Sequence, residues 1–285
     1  RILGVDHPNT LTSRGNLACA YESVGRLDQA IDLHEQNLAE VLHVLGPDHP
    51  RTLTFRNNLA CAYESVGRLD QAIDLHKKNL ADSERVLGPD HPHVLALRNN
   101  LADAYQSAGK LGEATCLYEQ TLTDRLRVLG DDHPDTLASR GNLAVAYQSA
   151  GRLEQAVPLL EQTLVDCLRV LGSDHPYTLV FRNSLANTYR FAGRLDEAID
   201  LHKKNLADRE RVLGSDHPDT LVSRGNLASV YWSAGRPDEA VPLFEQNLAE
   251  TLRVLGPDHP NTRIFRDNLA AAYRTVGRGE DAAVL

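Results

Sequence analysis

The sequence has no methionine and opens on Arg1 with RILG, which resembles RVLG at Arg85 inside the chain. Its last residue, Leu285, falls partway through a repeating unit, and together these features predict a piece of a longer protein. Cysteine is scarce. Cys19, Cys61, Cys116 and Cys167 form neither a CxxC pair nor a regular framework, the usage expected of reduced thiols in a cytoplasmic compartment. Cys19 and Cys61 hold the same position in adjacent units, and packed helices lie ~8–10 Å apart, so no disulfide is expected between them. They are expected as small core or groove residues.

No apolar run approaches the roughly 20 residues of a membrane span, and no signal peptide precedes the first unit. Basic charge is not in surplus either. The 30 Lys and Arg against 39 Asp and Glu leave a net charge of -9, which argues against the basic stripe of a nucleic-acid or anionic-membrane surface and favours basic partners. Neither GxGxxG nor HExxH occurs, and Gly109-Lys110 lacks both the upstream glycine and the following Ser or Thr of a phosphate-binding loop. No catalytic residue, metal or cofactor is expected on this chain.

What the sequence does contain is one unit used again and again. Asp-His-Pro begins at Asp6, Asp48, Asp90, Asp132, Asp174, Asp216 and Asp258, each 42 residues after the last. A periodic array stacks units side by side and needs no domain boundary. Residues 1–285 are therefore expected to form a single all-α domain of six complete 42-residue helix pairs and a truncated seventh.

In the second unit, Pro50 to Val66 reads as one helix, helix A, with Leu53, Leu59, Ala60 and Tyr63 at helical spacings. Pro50 suits a first helical position, and Gly67 a left-handed cap. Leu69 to Leu87 then reads as helix B, with Ala72, Leu75 and Leu80 on one face and Gly88 closing it. Pro158 and Pro242 fall about a turn inside a helix B and should distort that turn locally.

The period alone fits HEAT and armadillo repeats better than the 34 residues of tetratricopeptide repeats. The residues decide otherwise. Leu59-Ala60-x-x-Tyr63, with Gly67 four on and Ala72 five further, resembles the tetratricopeptide core, and the tyrosine returns at Tyr21, Tyr105, Tyr147, Tyr189, Tyr231 and Tyr273. With the LGxDHPxTL connection and the NNLA run at Asn57 to Ala60, the chain resembles the 42-residue tetratricopeptide repeats of kinesin light chains. Similar arrays occur in bacterial multidomain signalling proteins. The resemblance implies a right-handed α-solenoid of antiparallel helix pairs, with helix A lining the concave face.

Constant positions have structural readings. The Asp-His pairs could be metal ligands, but a closed zinc site needs three or four converging groups, so they are read as helix starts satisfying free N-H groups. Arg14, Arg56, Arg98, Arg140, Arg182, Arg224 and Arg266 stand where the family has Trp. Their stems are expected to cover apolar surface while the guanidinium bonds a carboxylate or carbonyl.

Candidate recognition residues lie on helix A. Asn16, Asn58, Asn100, Asn142, Asn226 and Asn268 form a ladder broken only by Ser184, and Asn is a poor helix-interior residue. Its amides are expected either to bond the neighbouring helix or to grip the backbone of an extended peptide, as the resemblance to kinesin light chains implies. One residue earlier come Gly15, Asn57, Asn99, Gly141, Asn183, Gly225 and Asp267. Three after the ladder come Cys19, Cys61, Asp103, Val145, Asn187, Ser229 and Ala271; six after it come Glu22, Glu64, Gln106, Gln148, Arg190, Trp232 and Arg274. The sign drifts from acidic to basic and aromatic, and Phe191 stands where other copies have Ser or Thr. Arg190, Phe191, Trp232 and Arg274 therefore form a candidate hot spot for a peptide with an acidic and an apolar anchor.

The function expected is a non-catalytic scaffold that binds a protein or peptide ligand, with no nucleic-acid or membrane partner. The alternative is a structural module that packs against its parent protein or self-associates end to end, Leu269 and Tyr273 being expected at an exposed end.

Overall fold

The structure, a computed structural model, describes Gly4 and residues 7–284. Asp6, the first of the seven marker aspartates, lies outside the described residues, as do Arg1 and Leu285. All described regular structure is helical: fourteen helices, α1 to α14, alternate as helix A and helix B. In the second unit these are α3 (Pro50–Ser65) and α4 (Leu69–Leu87), 16 and 19 residues long. Those lengths absorb the difference between this period and the 34-residue repeat.

The local causes are visible at each helix end. Pro50 opens α3, and the side chain of His49 caps it, Nδ1 accepting from the Arg51 N-H at 3.1 Å. His91, His133, His175, His217 and His259 do the same before α5 (Pro92–Ser107), α7 (Pro134–Ser149), α9 (Pro176–Phe191), α11 (Pro218–Ser233) and α13 (Pro260–Thr275). The imidazole, not the carboxylate, is the cap. The aspartate instead bridges the two ends of its hairpin: Arg85, near the end of α4, donates to Asp48 at 2.9 Å, and Arg211 donates to Asp174 at 2.8 Å. Gly67 closes α3 at φ 76°, a conformation that only glycine adopts without strain.

Pro158 lies inside α8 (Leu153–Val170) and Pro242 inside α12 (Pro237–Leu255), and neither breaks its helix. Their first turns tighten instead. Gln155 N-H donates to Arg152 C=O and Glu239 N-H to Arg236 C=O, three residues back, beside the ordinary bonds from Ala156 and Ala240.

The chain divides into two compact units, Arg1–Ala150 and Gly151–Leu285. Within each, antiparallel helix pairs stack as a right-handed α-solenoid, each helix packing on its sequence neighbour. Core positions repeat: Leu53, Leu59, Ala60 and Ala72 are buried in one unit, Leu179, Leu185, Ala186 and Ala198 in the other. Leu269 and Tyr273, expected at an exposed end, are buried. Tyr273 turns back onto the preceding helix pair, its hydroxyl donating to Glu245 at 2.6 Å while Arg278 covers its ring at 4.2 Å.

Candidate recognition face and its neighbours

Four of the constant arginines, Arg56, Arg98, Arg182 and Arg224, are structural. Arg56 and Arg182 are 1% exposed and donate to Asp82 and Asp208, at 2.7 and 2.6 Å, on the helix B of the same hairpin. Arg98 and Arg224 reach two carboxylates each: Asp124 at 2.6 Å and Glu84 at 3.0 Å for the former, Glu250 and Glu210 for the latter. These guanidinium groups face inward and offer no basic ligand surface.

The asparagine ladder divides into two sets. Asn100 donates to Asn57 at 2.9 Å, Asn142 to Asn99 at 3.2 Å and Asn226 to Asn183 at 2.9 Å, each reaching back to the preceding repeat. Asn58 and Asn268 have glycine, Gly15 and Gly225, where that acceptor would stand, and with Asn16 they make no side-chain hydrogen bond to any described residue. Amides that bond a neighbour and amides without a partner among the described residues are thus both present, and the residue one position before the ladder selects between them.

That preceding position varies for a packing reason. A Cβ on Gly225 would lie 2.6 Å from Phe265 Cε1, and one on Gly15 would lie 3.3 Å from Phe55 Cε1. Glycine makes room for a phenylalanine of the next helix A. Where asparagine stands, as at Asn57 and Asn99, the corresponding residues are Leu97 and Ser139.

In the C-terminal unit, Arg190, Ser229, Trp232, Ser233, Phe244, Asn268, Ala271 and Ala272 line a cavity of about 170 Å³. Arg190, Trp232 and the unpaired Asn268 are brought together there. Phe191 is 56% exposed, with the Arg190 guanidinium 4.6 Å above its ring. Asn187 is half-buried, and Arg274 is exposed and does not line the cavity. Beneath Arg190, His202 is fully buried with both ring nitrogens unpartnered. Burial, then the charge of Arg190, pushes its pKa down to about 4.

The N-terminal unit carries a different set at the equivalent helix A positions. Cys61 and Glu64 lie one helical turn apart on α3, and His76 reaches them from α4, its Nε2 2.7 Å from a Glu64 oxygen. Cys19, Glu22 and His34 repeat the arrangement on α1 (Pro8–Ser23) and α2 (Leu27–Leu45). In each trio the candidate ligand atoms lie within 4.8 Å of one another. In the third repeat the positions hold Asp103, Gln106 and Tyr118, and the tyrosine hydroxyl donates to the aspartate. Burial, followed by Glu64, Glu22 and Asp103, pushes the Cys61 thiol up to about 11, the opposite of what a nucleophilic cysteine needs. All four cysteines are unbridged; Cys19, Cys61 and Cys116 are exposed and Cys167 is buried.

Reading helix A alone hides these trios, because each histidine comes from helix B. The recurrence of Cys, Glu three on and His fifteen on, in the first two copies alone, was the available signal.

Among the described residues no helix is long and apolar enough to cross a membrane. The tetratricopeptide-repeat profile matches residues 23–81, 63–126, 177–249 and 229–284, and a second profile of that family matches 136–177. No curated protein matches the chain. Among solved structures, the nearly identical TPR-like repeats of a kinesin light chain of Podospora anserina are 35% identical, cover 72% of this chain and 97% of their own, and superpose with a TM-score of 0.63. BtubC (BKLC) from P. vanneervenii, 20% identical over 82% of this chain and 94% of its own, shares the fold at 0.66. So does a signal-transduction ATPase with a tetratricopeptide-repeat sensor from Pyrococcus horikoshii, 14% identical over 96% of this chain and 40% of its own, at 0.68. The chain belongs to the tetratricopeptide-repeat family, as an array of the 42-residue kinesin-light-chain-like type.

Proposed function

We propose that the helix A face of the C-terminal unit binds an extended peptide or protein segment, without catalysis, in a cytoplasmic setting. Tetratricopeptide arrays are generally protein-protein interaction scaffolds. The observation that carries the reading for this chain is the cavity where Arg190, Trp232 and Asn268 converge. Trp232 supplies a large, half-exposed apolar surface, Arg190 a cation beside it, and Asn268 an amide with no protein partner, able to donate to and accept from a peptide backbone. An acidic residue next to an aromatic or aliphatic one is the sequence this chemistry recognises.

Charge here sets orientation and association rate more than affinity, because exposed ion pairs contribute only ~0–1 kcal/mol. The apolar anchor therefore dominates. Selection from a random peptide library on the immobilised chain, followed by anisotropy titration of the enriched peptides, tests the reading. Acidic-apolar sequences are expected to be enriched, and Trp232→Ala to weaken them by ~2 kcal/mol or more. Arg190→Ala should mainly flatten the salt dependence of binding. Unchanged affinity in both variants would remove the cavity from the binding site.

A further inference from the structure

We propose that Cys61, Glu64 and His76, and likewise Cys19, Glu22 and His34, are two tandem binding sites for a zinc-class divalent cation. Each site offers one thiolate, one carboxylate and one imidazole. Three protein ligands with a fourth position left open is the composition of a zinc site that can still accept water or a further ligand. Thiolate and imidazole select zinc-class ions over calcium or magnesium, which take oxygen.

Geometry supports the assignment at three points. First, Cys and Glu three residues apart share one face of helix A, and the histidine crosses from helix B of the same hairpin, so the scaffold fixes all three. Second, the ligand atoms of each trio already lie within 4.8 Å of one another. Bond lengths of ~2.0–2.3 Å at tetrahedral angles put such atoms about 3.5 Å apart, so closure requires side-chain adjustment of about 1 Å and no change of backbone. Third, the sites sit at the boundary of the fold: His34 and His76 are 1% and 0% exposed, the glutamates are half-buried and the thiols are exposed. An ion can enter from solvent past the exposed thiols.

The buried histidines are compatible with an ion at no added hydrogen-bonding cost. Nε2 of each shares a proton with its glutamate, while Nδ1 has no partner. When an ion takes the Nε2 lone pair, the ring proton resides on Nδ1, so one orphaned acceptor becomes one orphaned donor and nothing is lost. The thiol releases its proton to solvent. Thiolate and carboxylate together then neutralise a divalent ion. The fifth repeat is the internal contrast. His202 is just as buried, but Arg190 stands where Glu64 does and Asn187 where Cys61 does, which leaves no site.

The test is calorimetric titration of the untagged, reduced chain with zinc chloride, repeated with cobalt(II) to read thiolate-to-metal absorption. About two ions per chain are expected for the wild type, about one for Cys61→Ser and none at micromolar concentration for Cys19→Ser combined with Cys61→Ser. Both thiols are exposed, so these variants keep the fold. His76→Phe, which installs the residue found at Phe244, should also leave one site, and Cys116→Ser should leave two. Undiminished binding in the double serine variant, or cobalt spectra without a thiolate band, would overturn the proposal.

Discussion

Adding one methyl group at equivalent positions of two repeats should change stability in opposite directions. Gly15 and Gly225 both lie inside a helix A, where replacing glycine by alanine gains ~0.8–1.0 kcal/mol in backbone preference. At Gly15 the new Cβ meets Phe55 Cε1 at 3.3 Å, which a shift of a few tenths of an ångström relieves. Gly15→Ala should therefore stabilise by about 0.5 kcal/mol. At Gly225 the Cβ would meet Phe265 Cε1 at 2.6 Å and Asn247 Nδ2 at 3.2 Å. Carbon atoms prefer ~3.5–4.0 Å, so a buried ring must move by about 1 Å, and overpacking of that kind costs ~1–3 kcal/mol. The net result for Gly225→Ala is a loss of about 1 kcal/mol, or about 3 °C in midpoint. Thermal unfolding followed by Trp232 fluorescence reads the C-terminal unit directly, since Trp232 is the single tryptophan and lies on the same helix as Gly225. Phe265→Leu in the same chain should recover most of the loss, because the second and third repeats already combine Asn57 with Leu97. If Gly225→Ala raised the midpoint as Gly15→Ala does, or if Phe265→Leu gave no recovery, the packing account of the Gly and Asn alternation would be wrong.

Arg182→Ala should cost about 2–4 kcal/mol in urea unfolding, somewhat less than a fully buried pair because Asp208 keeps 19% side-chain exposure and can be partly rehydrated. Arg182→Met, which preserves the apolar stem, should cost less, and equal losses would show that the ion pair matters more than the packing. His202 titrates near 4 in the folded chain against 6.5 ordinarily, so the unfolded chain binds its proton first. Its contribution is intact above pH 6.5 and is lost as pH falls toward 4, by about 3 kcal/mol at ~1.4 kcal/mol per pH unit. His202→Phe, the residue of the next repeat, should flatten the pH dependence of the C-terminal unit between pH 7 and 4.5; an unchanged profile would contradict the burial argument.

The fold was legible because the helix-end and core signals agreed, against the period and the internal prolines. Pro50, Gly67, Leu69 and Gly88 mark helix ends that the structure places within one residue, and the Leu59, Ala60 and Ala72 spacing carries the core. The arginine role was legible for the same reason: a charge at a packed tryptophan position must find a carboxylate. Which carboxylate could not be read, since Asp82 meets Arg56 only through the hairpin geometry.

The candidate site was less legible, for a physical reason. Comparing copies within one chain reveals that a position varies but not what it varies against. Gly15, Asn57 and Gly225 look like a changing recognition surface until each is set against its neighbour in the next repeat: Phe265 demands the glycine at 225, Phe55 packs close over Gly15 and leaves little room for an asparagine, and Asn100 donates to Asn57. The same coupling decides which ladder amides are spent inside the array and which are not. Asn58 and Asn268 stay unpaired because a phenylalanine has excluded the acceptor from the preceding helix. The polarity of this helix A face is therefore a by-product of aromatic packing one layer deeper, and a substitution at Phe265 should redistribute the hydrogen-bonding capacity of the face that Trp232 and Asn268 share.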